Sequence, residues 1–392
     1  MGKPVILSAV RTAGGKFGGA LSSLTAPELG ALVIREAVER AGLPENAVER
    51  VVMGNGWQAG VGPNPARIAA WNSGVAAGVP AFTVNMRCAS SLAAVTLIAD
   101  AVRLGDIQTG IAGGMESTSN VPYLLPQARW GHTMGEKPCL DSLHKDGFAC
   151  PLAGMLMGET AELLSEKYEI SREEQDAFAL ESHRKAVEAI DAGRFADELL
   201  PVTVKQKKET VEVNADEIPR RNTSREKLAK LPPVFRADGT VTAATSSALC
   251  DGAAALVIAD EEWAEAHGYR PLAEITGYAS AAVEPKYMGL GPVDSTPPAL
   301  SKAGVALEDI DLIELNEAFA VQVIAVQREL GFSMDRLNIY GGAVALGHPI
   351  GATGAKILTT LVHALRREKK QLGLATACVG GGQGVSIVVK SL

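Results

Sequence analysis

The apolar run Pro4-Val5-Ile6-Leu7-Ser8-Ala9-Val10 predicts a buried strand, because an almost unbroken row of apolar residues leaves no face for water. After a glycine-rich segment, Gly14 to Gly19, the residues Leu29, Leu32, Val33 and Ala37 recur near helical spacing. A helix is therefore expected over about 26–41, with Gly42-Leu43-Pro44 as its stop. The cycle then repeats. A strand from Val48 to Met53 leads into a Gly/Pro loop, Phe82-Thr83-Val84-Asn85 reads as a strand, Cys88 to about Leu104 as a helix, and Thr109 to Gly114 as a strand and turn. Strands alternating with helices predict βαβ units and a mainly parallel sheet.

From about 119 to 249 the texture changes to Pro, Trp and Tyr punctuation, a charged helical stretch from Ser171 to Ala192 and a basic run, which reads as an inserted domain. Apolar residues return in Ala253-Ala254-Ala255-Leu256-Val257-Ile258, and a second βα set runs from about 271 to the end. The second set echoes the first. Ala37-Val38-Glu39-Arg40-Ala41-Gly42-Leu43 with the strand ending at Asn55 has its counterpart in Ala299-Leu300-Ser301-Lys302-Ala303-Gly304-Val305 with the strand ending at Asn316. The expected organisation is thus one half made of residues 1–118 and 250–270, an insert over 119–249, and a similar half over 271–392. Two such halves would bring the carboxyl ends of their strands to one cleft, where open α/β folds bind ligands.

Composition narrows the class. The 392 residues are 47% hydrophobic, 21% charged and 5% aromatic, the balance of an ordinary soluble α/β chain and not of a disordered, collagenous or membrane one. A net charge of −8 argues against a general binder of nucleic acid or anionic membrane, since neutralising phosphates needs a basic face. An anionic ligand would need a local patch. Residues 205–236 offer one: Lys205, Lys207, Lys208, Arg220, Arg221, Arg225, Lys227, Lys230 and Arg236 outnumber Glu209, Glu212, Asp216, Glu217 and Glu226, although a solvated charged face has the same composition. The cysteines Cys88, Cys139, Cys150, Cys250 and Cys378 are widely spaced, with no C-x-x-C pair, so neither a disulfide framework nor a metal site is signalled. With no secretory pattern and no long apolar span, a reducing cytoplasm is the expected location.

Reactive residues fall at four strand-to-turn junctions. In Asn85-Met86-Arg87-Cys88-Ala89-Ser90-Ser91-Leu92 a thiol stands where small residues open a helix. Free N–H groups and the helix dipole are expected to lower the Cys88 pKa and supply thiolate near neutral pH, the competing reading being a buried spacer cysteine. In Gly341 to Gly354, glycine density lets the backbone approach a ligand, and His348, near the start of the next helix, is expected to stay neutral and able to accept a proton; a structural histidine is the alternative. In Ala375 to Gly384 a second thiol, Cys378, meets a glycine-rich turn whose N–H groups suit an oxyanion, though a tight hairpin needs the same residues. Glu314-Leu315-Asn316-Glu317-Ala318-Phe319 puts polar residues at the end of an apolar strand, where they also serve as caps. Two thiols, a neutral histidine and an amide together suit nucleophilic acyl transfer followed by proton movement at carbon.

Cys88-Ala89-Ser90-Ser91-Leu92, Gly113-Gly114-Met115-Glu116-Ser117-Thr118-Ser119, Asn316-Glu317-Ala318-Phe319, Gly347-His348-Pro349-Ile350-Gly351 and Cys378-Val379-Gly380-Gly381-Gly382 strongly resemble the motifs of the thiolases, in the same order and over essentially the full chain. The resemblance implies the thiolase fold, an α/β architecture of two similar halves packed as an αβαβα sandwich with an inserted loop domain. It implies that Cys88 takes an acyl group from a CoA thioester, that His348 removes the Cys88 proton and later helps bind the thioester oxygen, and that Cys378 is the acid/base at carbon. Asn316 would hold a water that completes one oxyanion site with His348, and the N–H groups of Cys88 and Gly380 would form the other. CoA thioesters are the implied substrates, with no prosthetic group and no metal. In the loop domain Arg220 would lie near the nucleotide phosphates and Phe235 near the adenine, with Ser247, Ala318, Phe319 and Met288 along the pantetheine and acyl channel and Lys227 and Met157 as further contacts. Thiolases are homodimers or homotetramers, so self-association is expected, while nucleic acid and membrane are not expected partners.

The leading expectation is an acetyl-CoA C-acetyltransferase, reversibly condensing two acetyl-CoA to acetoacetyl-CoA and CoA. The near alternative is a 3-ketoacyl-CoA thiolase of broader chain length, and the distant one an acyl-CoA or lipid-binding relative without turnover. Ketosynthases, which share the fold, usually set two histidines beside the cysteine, and Cys378 in the second position disfavours them. The chain departs from the family pattern at Ser91, where Gly is frequent, at Leu156, where many short-chain members carry His, and at Thr245 and Cys250, where biosynthetic members carry Asn. Leu156 with Ala244-Thr245-Ser246-Ser247 leans toward members that degrade fatty acyl chains.

Overall fold

Residues 2–44, 46–206 and 209–392 are described by a computed structural model, in which the first apolar run becomes β1 (Pro4–Thr12), buried along its whole length. Alternate side chains of β1 serve two different cores, Ile6 and Ala9 one, Val5, Leu7 and Val10 the other. Next come α1 (Ala26–Ala41), β2 (Val51–Gly54), α2 (Pro65–Ser73), β3 (Ala81–Val84), α3 (Ser90–Leu104) and β4 (Thr109–Glu116). A long excursion containing α4 (Met157–Tyr168) and α5 (Arg172–Asp191) returns to the sheet as β5 (Cys250–Asp260). The chain ends with β6 (Ala273–Ala282), α6 (Gly291–Ala303), β7 (Leu312–Leu315), α7 (Ala320–Leu330), α8 (Thr353–Arg367), β8 (Leu372–Val379) and β9 (Gln383–Ser391).

The repeat seen in the sequence is a repeat of topology. Strands pair in the order β1-β5-β4-β2-β3 in one half and β6-β9-β8-β7 in the other. In each half the first two contacts of the order are antiparallel and the third is parallel. β3 has no full counterpart; its place holds one parallel bridge between Ile313 and Leu337. The echoed Ala-Gly stops end α1 and α6 on Gly42 and Gly304 at φ 69° and 70°, a left-handed conformation that glycine takes without a Cβ penalty.

One expectation is corrected. The sheet is mixed and not mainly parallel, because β9 follows β8 through the tight turn at Gly380 to Gly382 and must run back beside it, while β5 returns antiparallel between β1 and β4. β1 and β6 pair at Val5↔Glu274 and Ile6↔Ala273, a short link that joins the sheet layers of both halves in one hydrogen-bonded path.

Helices α3 and α8 lie between the halves, where Leu92, Ile98, Leu358 and Leu361 share a core with Leu256 of one sheet face and Ile387 of the other. Leu29, Val33 and Ala69 of α1 and α2 cover the far face of the first half against Met53 and Val257. Ala299, Leu300 and Val323 of α6 and α7 do the same for the second against Ile313 and Val388. Outward from the centre the layers are therefore helix, sheet and helix on each side. Replacing a central leucine such as Leu358 with alanine would cost about 2–5 kcal/mol. In the excursion, Val202–Gln206 pairs with Glu209–Val213; Lys207 and Lys208 of the basic run lie outside the described residues.

Candidate active site

Cys88 stands in a 3-10 turn, Arg87–Ala89, between β3 and α3, one residue ahead of the helix cap and not within the helix as the periodicity predicts. Arg87 enters the turn with φ at 47°, a left-handed value that costs an L-residue energy unless its surroundings hold it. They do: Ser90 Oγ donates to the Arg87 carbonyl at 2.7 Å and accepts the Met86 N–H at 2.9 Å, and Arg87 Nη1 donates to the Gly56 carbonyl at 2.9 Å with the guanidinium 4.8 Å from the Trp57 ring centre. Burial pushes the Cys88 thiol above its ordinary range, against the Arg87 cation and the N–H groups of Gly380 and Cys88 itself, which favour the thiolate. The expectation of a ready thiolate is thus overturned by desolvation, and the thiol needs a base at the moment of attack.

His348 sits in a backbone bracket. Its N–H bonds the Ala248 carbonyl at 3.0 Å, and Lys356 Nζ, on the buried face of α8, donates to the carbonyls of Leu346 at 2.6 Å and Gly347 at 3.0 Å. Burial first, then the cations of Lys356 and Arg87, pull the imidazole down to about 3, so it is neutral by desolvation and not through a helix terminus. Nδ1 lies 2.6 Å from Thr353 Oγ1, which donates to the Pro349 carbonyl at 3.0 Å. That hydroxyl then receives the Nδ1 proton and leaves Nε2 as the basic nitrogen.

Cys88, His348 and Gly380 line one cavity of about 60 Å³, with Met157, Ser247, Met288, Ala318 and Phe319 on its wall. Arg87, Gly147, Phe148 and Ile350 complete the lining and were not singled out by the sequence reading. Cys378 does not reach the cavity surface: it is 0% exposed and packs with Met157, Met288, Ala318 and Phe319 just behind the wall. Burial, and then the neighbouring Cys88, hold it firmly as a thiol. Asn316 is 1% exposed, and neither its Oδ1 nor its Nδ2 has a hydrogen-bonding partner among the described residues. Its repeat-related counterpart Asn55 is tied down, donating from Nδ2 to the Met115 carbonyl at 3.1 Å and to Glu116 Oε1 at 2.7 Å.

The remaining residues divide. Arg220 and Lys227 line a separate cleft of about 390 Å³ with Arg221, Asn222 and Thr223, where the Arg220 N–H bonds His183 Nδ1 at 3.2 Å. Phe235 is not in that cleft; its ring packs edge-on against Phe319, centroids 6.1 Å apart. The basic run is partly neutralised, because Arg221 pairs with Asp191 and Arg236 with Glu166, whereas its acidic Asp216 is taken up by the buried Arg11. The departures also find partners. Ser91 Oγ accepts the Ala355 N–H at 2.8 Å and ties the two central helices together, Thr245 Oγ1 accepts the Thr242 N–H at 2.8 Å, and the buried Cys250 thiol is pushed up to about 12. Among the described residues no group of three or more His, Cys, Asp or Glu could hold a metal ion, and no helix is long and apolar enough to cross a membrane.

A fold of two repeated halves with a cysteine, a neutral histidine and a backbone N–H around one cavity is the setting of an acyl-transfer site. Family models agree with it: thiolase, N-terminal domain, matches residues 4–262 and thiolase, C-terminal domain, residues 269–391. The chain belongs to the thiolase family. Acetyl-CoA acetyltransferase of Escherichia coli (strain K12) is 51% identical over 389 residues, 99% of each chain, and that of Pseudomonas aeruginosa is 51% identical over 386 residues, 98% of each. The crystal structure of the Bacillus anthracis acetyl-CoA acetyltransferase superposes with a TM-score of 0.98 at 43% identity, covering 100% of this chain and 99% of that one.

Proposed function

We propose that this thiolase is an acetyl-CoA C-acetyltransferase that joins two acetyl-CoA into acetoacetyl-CoA and CoA, and reverses the reaction, through an acyl group carried on Cys88. The observation that carries the reading is the shared cavity of Cys88, His348 and Gly380. His348 Nε2 takes the Cys88 proton as the sulfur attacks the thioester, and the N–H groups of Cys88 and Gly380, both directed at that sulfur's surroundings, meet the oxyanion. The leaving CoA sulfur takes the proton away as thiol. In the second half, the water held by Asn316 joins His348 around the thioester oxygen of the second acetyl-CoA while the Cys378 thiolate, the minor form at rest, takes the methyl proton; the carbanion attacks the acyl carbonyl and expels Cys88 as thiolate, to which the proton on Cys378 is passed back. In thiolysis Cys378 returns it to the departing acetyl-CoA carbanion, a task suited to a thiol that burial keeps protonated. Met157 lines the cavity and packs against the apolar cluster that contains Cys378, a flexible side chain between the two environments.

The cavity wall of Met157, Met288, Ala318 and Phe319 is apolar, which suits an uncharged acyl group. The basic cleft at Arg220 and Lys227 supports the binding of CoA phosphates. Free cysteines support a reducing, cytoplasmic setting, and family membership supports a homodimer or homotetramer. The test is acetoacetyl-CoA with free CoA. Loss of the 3-keto thioester supports turnover, binding without loss makes the protein a carrier, and rapid cleavage of longer 3-ketoacyl-CoAs with none of acetoacetyl-CoA moves the assignment to the broader enzyme. Cys88→Ala abolishes acyl labelling, whereas Cys378→Ala keeps labelling and loses carbon–carbon exchange.

A further inference from the structure

The motif Gly113 to Ser119 takes no part in the steps above, yet its carboxylate, Glu116, is 1% exposed at the junction of the segments that carry Cys88 and His348. Glu116 Oε2 accepts the N–H groups of Gly351 and Gly56, each at 2.8 Å, and Oε1 accepts Asn55 Nδ2 at 2.7 Å and the Trp57 N–H at 3.3 Å. Gly351 belongs to the loop of His348. The Gly56 peptide is held from its other side by Arg87, the neighbour of Cys88, whose Nη1 donates to the Gly56 carbonyl at 2.9 Å. Backbones crowd together to allow this. A Cβ on Gly351 would stand 2.6 Å from the Asn55 Cα, and one on Gly114 would collide with the Gly351 carbonyl oxygen.

We propose that Glu116 is a positioning residue of the acyl-transfer reaction: one buried carboxylate that fixes the His348 loop against the Cys88 turn, and does so in its ionised form. The inference rests on the roles given above to Cys88 and His348. The partner set requires the charge, because all of those groups are donors and a proton on either oxygen would face an N–H. Burial works against the charge and lifts Glu116 to about 7, while the N–H donors and the Arg87 cation pull the other way. The charged and titratable groups facing it are Arg87 and the Cys88 thiol. Protonation near neutral pH therefore slackens the junction, and the acid side of the activity profile belongs to Glu116 and not to His348, which is neutral down to about 3.

The test compares Glu116→Gln and Glu116→Asp with the wild type in acetoacetyl-CoA thiolysis across pH. An ångström of misplacement costs about 100-fold in rate, so Glu116→Gln is expected to lower kcat by about 30- to 100-fold with KM within about twofold, and to lose the acid limb near neutral pH. Glu116→Asp keeps the limb and loses less kcat, and both variants still alkylate at Cys88 in alkaline solution. Wild-type kcat in Glu116→Gln, or an unchanged acid limb, overturns the proposal. Should Glu116→Gln fail to fold, Glu116→Asp decides, since its shorter reach must lower kcat and a wild-type kcat there overturns the proposal too. A wild type inert toward acetoacetyl-CoA would instead remove the functional reading itself.

Discussion

Replacing Asn316 with leucine should leave stability nearly unchanged and destroy activity, a split that separates a substrate-facing amide from a structural one. Both polar atoms of the Asn316 side chain lack a protein partner inside the fold. The amide bonds a water and no protein group, so an apolar side chain of similar size breaks no protein–protein hydrogen bond and stability should change by less than about 1 kcal/mol. The water that Asn316 holds for the thioester oxygen is lost with it. Removing one oxyanion donor costs about 3–4 kcal/mol, or about 100- to 1,000-fold in kcat. The assay pairs acetoacetyl-CoA thiolysis with a urea midpoint on the same preparation. Asn55→Leu is the control, for its amide nitrogen bonds Met115 and Glu116, and there stability should fall by about 2 kcal/mol. If Asn316→Leu instead lost more than about 1 kcal/mol of stability and kept its rate within about threefold, the amide would be a structural one and the assignment of its site would fail.

Thr353→Val removes the group that receives the Nδ1 proton of His348, so kcat should fall about 10-fold or more with KM nearly unchanged; recovery in Thr353→Ser would tie the loss to the hydroxyl. Because burial raises the Cys88 thiol, its alkylation by iodoacetamide without substrate should be slow at neutral pH and climb only above the ordinary thiol range, as read by mass spectrometry of the Cys88 peptide; a plateau at neutral pH would refute the sign. Arg11→Met strands Glu198 and Asp216, which hold the guanidinium at 2.5 and 2.9 Å, and should cost about 3–5 kcal/mol in urea unfolding.

What the sequence disclosed and what it hid follow from the range of the interactions involved. The echo between Ala37–Asn55 and Ala299–Asn316 is local, set by helix stops and strand lengths, and it led to the repeat and to both cleft-facing junctions. Cys88, His348 and Cys378 stood out because each falls at a strand-to-turn junction among glycines and small residues and because their motifs recur together in one family's order. The titration of Cys88 was read wrongly, because dipole and N–H effects are local and visible in sequence, whereas desolvation depends on every segment packed around the sulfur. Glu116 was legible as part of a motif but not as a clamp, since its acceptors meet N–H groups 60 and 235 residues away along the chain. Arg11 and Lys356 mark the boundary most clearly. Neither was singled out in the sequence, yet both are buried in the fold, where an unpaired charge could not be held. Which partner is another matter: Arg11 finds Glu198 and Asp216 at separations of 187 and 205 residues, and Lys356 finds carbonyls of the very loop that holds the base. Buried charges of this kind belong to the supporting structure of a site, and they stay hidden in the sequence because the groups that compensate them are brought close only by the fold.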